Sequence, residues 1–256
     1  MALPEPDPNT TVVVTGASSG IGAELARELA RRGYGVTLVA RRRDRLEELA
    51  QEIGDTAKVV PADLASREGR GELLAQLDLR TVVGLCNNAG YGNSGRFTKT
   101  DLDKEQAMIE LNCAALHHLM LAFLPGFVSV RAGAVLNVAS LSGVQPLPFM
   151  ATYAATKAFV SSISEGVHAE LAGTGVSVTA LLPGPVHTEF EDVAGVDCGM
   201  APEAAYLDAD EVARQAVDAM VKGRRTVVPS LKWKAAALGG RFAPRTLALP
   251  AMRRAF

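Results

Sequence analysis

The stretch Thr15-Gly16-Ala17-Ser18-Ser19-Gly20-Ile21-Gly22 constrains this chain more than any other, because it stands where a strand pattern stops and a helix pattern begins. Before it, Thr10-Thr11-Val12-Val13-Val14 is a β-branched run as short as a buried parallel strand. After it, Ile21, Leu25 and Leu29 recur at helical spacing with Ala26 and Ala30 beside them. The glycines therefore fall in a strand-to-helix turn. A helix N-terminus carries unpaired backbone N–H groups and a partial positive charge, and residues without a Cβ let a pyrophosphate approach that backbone. The turn reads as the seat of a dinucleotide phosphate. Its Gly-x-x-x-Gly-x-Gly spacing differs from the general Gly-x-Gly-x-x-Gly fingerprint, and a Gly/Ser-rich turn on its own can be only a turn.

Gly33 closes the first helix, Gly35–Ala40 reads as a second buried strand, and Arg41, Arg42 and Arg43 follow it. In dinucleotide folds this strand end faces the adenosine ribose, where an acidic residue accepts from the hydroxyls of NAD and an arginine pairs with the 2′-phosphate of NADP. No acidic residue stands at Arg41, so the sign of the charge predicts NADP(H). The competing reading is the exposed start of an amphipathic helix over Arg43–Ala50. Three cations at a helix N-terminus oppose its dipole, however, which favours a ligand anion for Arg41 at least.

Further strand patterns occupy 56–60, 81–86, 133–140, 176–182 and 225–229, alternating with helical patterns at 67–77, about 101–127, 152–172 and 208–221. This predicts a single doubly wound α/β domain of the Rossmann type, with a parallel sheet of about seven strands and helices on both faces. Ser140 stands at the C-terminal end of the fifth strand, the edge where open parallel sheets bind ligands. Tyr153 and Lys157 follow at i, i+4 near the start of a helix, one turn apart on one face. Asn112 interrupts an apolar helical stretch, where Asn is a poor helix former; it has either a function or a satisfied place in the core.

These residues suit hydride chemistry. Reducing a carbonyl places negative charge on oxygen, which must be stabilised and protonated. A phenol with a pKa near ~10 can donate that proton but is a poor base in reverse. A cation about 4 Å away favours the phenolate by about 4 kcal/mol at an effective dielectric of ~20, before desolvation subtracts from it. Lys157 is placed to supply it, making Tyr153 the general acid for reduction and the base for oxidation.

Thr15-Gly16-x-x-x-Gly20-x-Gly22, Asn87-Asn88-Ala89-Gly90 after the fourth strand and Tyr153-x-x-x-Lys157 together resemble the short-chain dehydrogenase/reductase family, and matches extend over residues 10 to 229. The resemblance implies that Asp63 and Leu64 contact the adenine, with an N-cap as the other reading of Asp63, and that Asn88, Ala89 and Gly90 line the cofactor. It further implies that Asn112 lies where a disturbed helix backbone holds a water near Lys157, that Ser140 hydrogen-bonds the substrate oxygen and that Lys157 also binds the nicotinamide ribose. Pro183-Gly184-x-Val186-x-Thr188 matches the segment whose valine and threonine meet the nicotinamide amide. His187 inside it is given no catalytic role. The family's habit implies a homodimer or homotetramer built on the helices near 101–127 and 152–172.

Residues 1–9 read as a flexible leader, 10–229 as the catalytic domain and 189–207 as a mobile substrate lid. Phe190, Val193, Val196, Met200 and Tyr206, with Phe149 and Met150, form either an apolar mouth or ordinary lid packing, so a hydrophobic substrate is a mild preference. Residues 230–256 form a basic tail carrying Trp233, Leu238, Phe242, Leu247, Leu249, Met252 and Phe256. From Lys222 onward there are nine basic residues and no acidic one, leaving 17 basic against 28 acidic before it. That tail could lie on an anionic membrane surface, recruit an acidic partner or acyl carrier, or pack on another subunit. A net charge of −2 argues against general nucleic-acid binding. Cys86, Cys113 and Cys198 form no Cys-x-x-Cys pattern, which predicts no zinc site, a reducing compartment and hence the cytoplasm. No uninterrupted apolar run reaches the ~18 residues of a spanning helix. Two other classes remain open: an idle dinucleotide-binding regulator, and a surface or carrier adaptor built on the tail.

Overall fold

The computed structural model describes residues 2–190, 194 and 203–255. Among them, seven strands form one parallel sheet in the order β3-β2-β1-β4-β5-β6-β7. The strands are β1 Thr11–Thr15, β2 Gly35–Ala40, β3 Ala57–Pro61, β4 Val82–Asn87, β5 Gly133–Val138, β6 Val176–Leu181 and β7 Thr226–Val227. The described helices are α1 Gly20–Arg31, α2 Arg43–Ile53, α3 Arg67–Ala75, α4 Leu102–Ile109, α5 Leu116–Val130, α6 Ala151–Glu170, α7 Ala209–Val221, α8 Leu231–Phe242 and α9 Arg245–Ala255. The predicted doubly wound α/β architecture is the one found.

Successive strand residues point to opposite faces, and β1 feeds both cores. Val12 and Val14 join Leu25 and Leu29 of α1 and Val217 of α7, whereas Val13 joins Leu119 and Phe123 of α5 and Val160 of α6. Covering both faces is what permits the continuous apolar strands read from the sequence. The strand order reverses at β1, which has β2 on one side and β4 on the other, so their carboxyl ends leave a crevice. On the α1 side, the buried Glu28 carboxylate is held by Arg31 and Arg32, and Arg32 continues to Asp218 of α7 at 2.8 Å.

Two expectations change. The helix predicted over 101–127 is α4, a π-helical turn at Glu110–Ala115 and then α5. Taken together, Leu102–Val130 is long and apolar enough to cross a membrane by length and composition, with a window of mean hydropathy 1.7. Leu119, Phe123 and Phe127 nevertheless lie in the core beneath the sheet.

The tail is the second change, because its Trp233 packs on Gly184 of the same chain. Trp233, Ala237 and Gly240 recur at helical spacing and give α8 an inward face that a count of charges does not register. Val193, Val196, Cys198, Met200 and Phe256, and the side chains of Phe242 and Leu247, lie outside the described residues.

Candidate active site

One cavity of about 1060 Å³ runs from Arg41 and Asp63 at the adenosine end, past the glycine turn, to Ser140, Tyr153 and Trp233. Its floor is the turn after β1. Gly16 and Gly20 have φ of +66° and +55°, a region that favours glycine. A Cβ on Gly22 would stand 2.3 Å from the Gly16 carbonyl and 2.4 Å from Asn88 Nδ2, and one on Gly20 would press on Thr188. Asn88 clamps this turn by donating to the carbonyls of Thr15 (3.0 Å) and Gly16 (3.2 Å), while Thr15 Oγ1 accepts from the backbone of Asn88 and Ala89. Ser19, at the N-cap of α1, makes no side-chain cap bond, so no side chain occupies the first-turn N–H groups in that way. A bare backbone cradle backed by a helix N-terminus fits a pyrophosphate. Ser18, Ser19, Ile21, Ala89 and Gly90 also line the cavity.

At the adenosine end, exposed Arg41 makes no hydrogen bond or ion pair among the described residues, whereas Arg42 binds Ser18, Ser19 and Glu189. Leu64 is buried and lines the cavity beside Asp63. Asp63 does not cap α3: Ser66 does, accepting from Gly69 N at 2.9 Å, while Asp63 Oδ1 accepts from Ala65 N. Arg70, buried behind this loop, donates to the carbonyls of Leu64 and Ala65.

At the catalytic end, Tyr153, Lys157, Val160 and Ser164 form the buried face of α6. A polar column fixes that face on the sheet. Asn87 Nδ2 donates to Asn137 Oδ1 at 2.9 Å, Asn137 Nδ2 donates to Ser164 Oγ at 2.8 Å, and Ser164 donates to Val160 O. Lys157 Nζ donates to Val138 O at 2.8 Å and stands 5.9 Å from the centre of the Tyr153 ring. Ser140 follows β5, is buried, and its Oγ accepts from Ser142 N.

Electrostatics depart from the sequence-based expectation. Burial pushes the Tyr153 phenol up to about 12, opposed by its hydrogen bond with Ser140, and burial brings Lys157 down to about 8. The phenol therefore stands above its ordinary value, not below it as the sequence-based expectation had it. Desolvation dominates in a buried site where Phe190 lies against the Tyr153 ring at 5.3 Å.

Asn112 sits in the π-helical turn and is 2% exposed. Its amide is fully used: Nδ2 donates to Tyr91 O and Thr156 Oγ1, and Oδ1 accepts from Tyr91 N. The side chain is therefore a clamp between Tyr91 and α6. Gly90 separates it from Lys157, since a Cβ there would be 2.8 Å from Asn112 Oδ1 and 3.5 Å from Lys157 Nζ.

The far wall combines the segment after β6 with the tail. Pro183, Gly184, Val186 and Thr188 line the cavity, and Val186 bridges to Leu207. His187 stacks on Tyr206 at 4.6 Å. Trp233 covers Gly184 and donates Nε1–H to Ala205 O at 3.0 Å. Leu147, Met150, Phe190, Tyr206 and Met252 complete an apolar lining. Phe149 is not part of it; a left-handed backbone (φ 64°) at Phe149 precedes Met150, which is. Sequence reasoning placed Trp233 in the tail without assigning it to the site. The signal available was the chain's one tryptophan at i, i+4, i+7 with Ala237 and Gly240. Among the described residues there is no group of three His, Cys, Asp or Glu able to hold a metal ion.

A doubly wound sheet with a glycine cradle at its switch point, opening onto a buried Tyr–Lys pair, defines a class: oxidoreductases that work with a nicotinamide dinucleotide. The family model for short chain dehydrogenases matches residues 10–198, and the chain belongs to that family. An uncharacterized oxidoreductase of Staphylococcus epidermidis is 36% identical over 212 residues, covering 82% of this chain and 90% of its own. The structure of a short-chain dehydrogenase from Sphingobium yanoikuyae in complex with NADPH is similar with a TM-score of 0.81 and 36% identity, over 89% of this chain and 92% of that one. A closed serine dehydrogenase complexed with NADP+ gives 0.78 and 32%, over 86% and 94%.

Proposed function

We propose that this protein is an NADPH-dependent carbonyl reductase, and in reverse an alcohol dehydrogenase, acting on a bulky apolar ketone or aldehyde. The observation that carries this reading is one cavity holding the glycine cradle at one end and Ser140, Tyr153 and Lys157 at the other.

Gly16, Ser18, Ser19, Gly20, Ile21 and Gly22 would hold the pyrophosphate, Asp63 and Leu64 the adenine, Arg41 and Arg42 the 2′-phosphate, and Asn88 to Gly90, Lys157 and Pro183 to Thr188 the nicotinamide half. The bound dinucleotide supplies the hydride. Tyr153, protonated at neutral pH as a phenol is and raised further by burial, donates its proton to the substrate oxygen while Ser140 donates a hydrogen bond to the same atom. Lys157, 5.9 Å from the ring, opposes the charge left on the phenolate, an interaction worth roughly 3 kcal/mol at an effective dielectric of about 20. The π-helical turn at Asn112 reconnects Lys157 to solvent.

Arg41, with no ion pair among the described residues, and the absence of a carboxylate at the end of β2 support NADP(H), as do the dinucleotides bound by the two neighbours. Substrate class is not inherited in the same way. The serine dehydrogenase is named for a small polar molecule, whereas Met150, Phe190, Trp233 and Met252 here favour an apolar one. Exposed Leu102, Ile109, Leu121 and Phe159 on α4 to α6 support a homodimer or homotetramer.

The test is loss of NADPH absorbance over a panel of aldehydes and ketones graded in size, with NADH in parallel. Bulky apolar carbonyls are expected to turn over, NADPH outperforming NADH by ~10-fold or more for a charge-assisted Arg–phosphate bond. Replacing Arg41 with Asp is expected to reverse that preference. No turnover of any member with either dinucleotide would refute the reading.

A further inference from the structure

The arginines that follow β2 are not equally free to meet a ligand anion. Arg43 pairs with Glu47 along α2 at 3.3 Å. Arg42 and Arg45 both reach Glu189, which directly follows Thr188: Arg42 Nη1 is 3.0 Å from Oε2 and Arg45 Nη1 is 3.3 Å from Oε1. Arg42 also donates to Ser18 Oγ and to Ser19 Oγ at 2.9 Å, so the pair stands directly over the glycine turn. Glu189 and Arg42 line the same cavity as Gly16 and Asp63. Arg42, supported by Arg45 and Ser19, holds the Glu189 carboxyl below the usual carboxylate range against a smaller opposing effect of burial.

A carboxylate and a phosphate monoester satisfy a guanidinium in the same forked manner. We propose that Glu189 is an internal counter-anion that competes with the cofactor's 2′-phosphate for Arg42 and Arg45, and so limits how strongly the chain separates NADP(H) from NAD(H). This rests on the dinucleotide reading of the glycine turn. Exposure of 44% for Arg42, 46% for Arg45 and 40% for Glu189 makes the ion pairs weak enough to yield to a more highly charged group. The latch also touches the catalytic end of the cleft, because the next residue, Phe190, lies on the Tyr153 ring.

The experiment is calorimetric titration of the full chain with adenosine 2′,5′-bisphosphate and with 5′-AMP, which differ only in the 2′-phosphate. Measurements are made on wild type, Glu189→Gln, Arg42→Ala and the double variant, with thermal melting to verify folding. Glu189→Gln is expected to tighten the bisphosphate about two- to fivefold, the scale of an exposed ion pair, and to leave 5′-AMP unchanged. In the Arg42→Ala background the gain is expected to vanish. Three outcomes would overturn the proposal: both ligands shifting together, bisphosphate binding weakened by Glu189→Gln, or no change in a wild type that does prefer the bisphosphate. Equal affinity of both wild type and Glu189→Gln for the two ligands would instead refute the NADP(H) reading itself, and the proposal with it.

Discussion

The phosphate end of the cleft takes its backbone from the neighbouring ends of β1, β2 and β4, whereas the end beyond Tyr153 is closed by α8, which arrives from the far end of the chain. The first is stiff by construction. Asn88 ties β4 to the glycine turn through the Thr15 and Gly16 carbonyls, and Gly22 has no room for a Cβ. The second is assembled from side chains, with Trp233 resting on Gly184 and Phe190 on Tyr153. On the proposed function, the difference teaches that the two ligands would be recognised by separable parts: the glycine turn with the side chains of the adenosine end would meet the dinucleotide, and the apolar side chains of the other end would meet the substrate. Variants should therefore damage one function and spare the other, except where one residue serves both.

Tyr153→Phe gives the sharpest separation. Turnover is expected to fall by ~10² to 10⁴, the usual worth of a positioned acid, while NADPH affinity measured by fluorescence titration stays within a few-fold. Lys157→Met should break the separation, because this residue faces both parts: a loss of about 10² in rate, from the roughly 3 kcal/mol of charge stabilisation, is expected together with weaker NADPH binding.

The pH dependence of reduction isolates the same charge. Burial lowers Lys157 to about 8, so its ammonium is present below that pH and lost above it, whereas the Tyr153 phenol keeps its proton up to about 12. Reductive kcat/KM is expected to be flat near neutrality and to fall about tenfold by one to two pH units above 8. Lys157→Arg, which cannot lose its charge in that range, should remove the fall. The smallest effect belongs to the substrate wall. Trp233→Ala is expected to raise KM several-fold for the bulkiest carbonyl that turns over, with little change for a small one, read from steady-state kinetics at saturating NADPH.

The contrast between the two ends also explains what could be read from the sequence. Gly16 to Gly22 and the Tyr153–Lys157 pair were legible because strand-to-helix turns and i, i+4 spacing are local, and Ser140 because the end of a strand marks its place on the sheet. Asn112 was legible as a misfit, although its partners Tyr91 and Thr156 were not. Docking of α8 was hidden by nine basic residues that suggested a surface for something else. The distinction between Arg41 and Arg42 depends on Glu189, 147 positions from Arg42. That desolvation would outweigh the cation at Tyr153 was not legible, because its size is a property of packing, here with Phe190 and the close approach at Gly92.

The most direct test of whether the two ends form one catalytic site is a crystal structure with NADP+ bound. The account predicts the pyrophosphate on the Gly16–Gly22 turn. It also predicts the nicotinamide between Tyr153 and the Pro183–Thr188 segment, leaving room for a carbonyl carbon about 3–3.5 Å from C4 while its oxygen reaches the Tyr153 hydroxyl. A nicotinamide ring lying outside the cleft, or a Tyr153 hydroxyl turned away from C4, would contradict it.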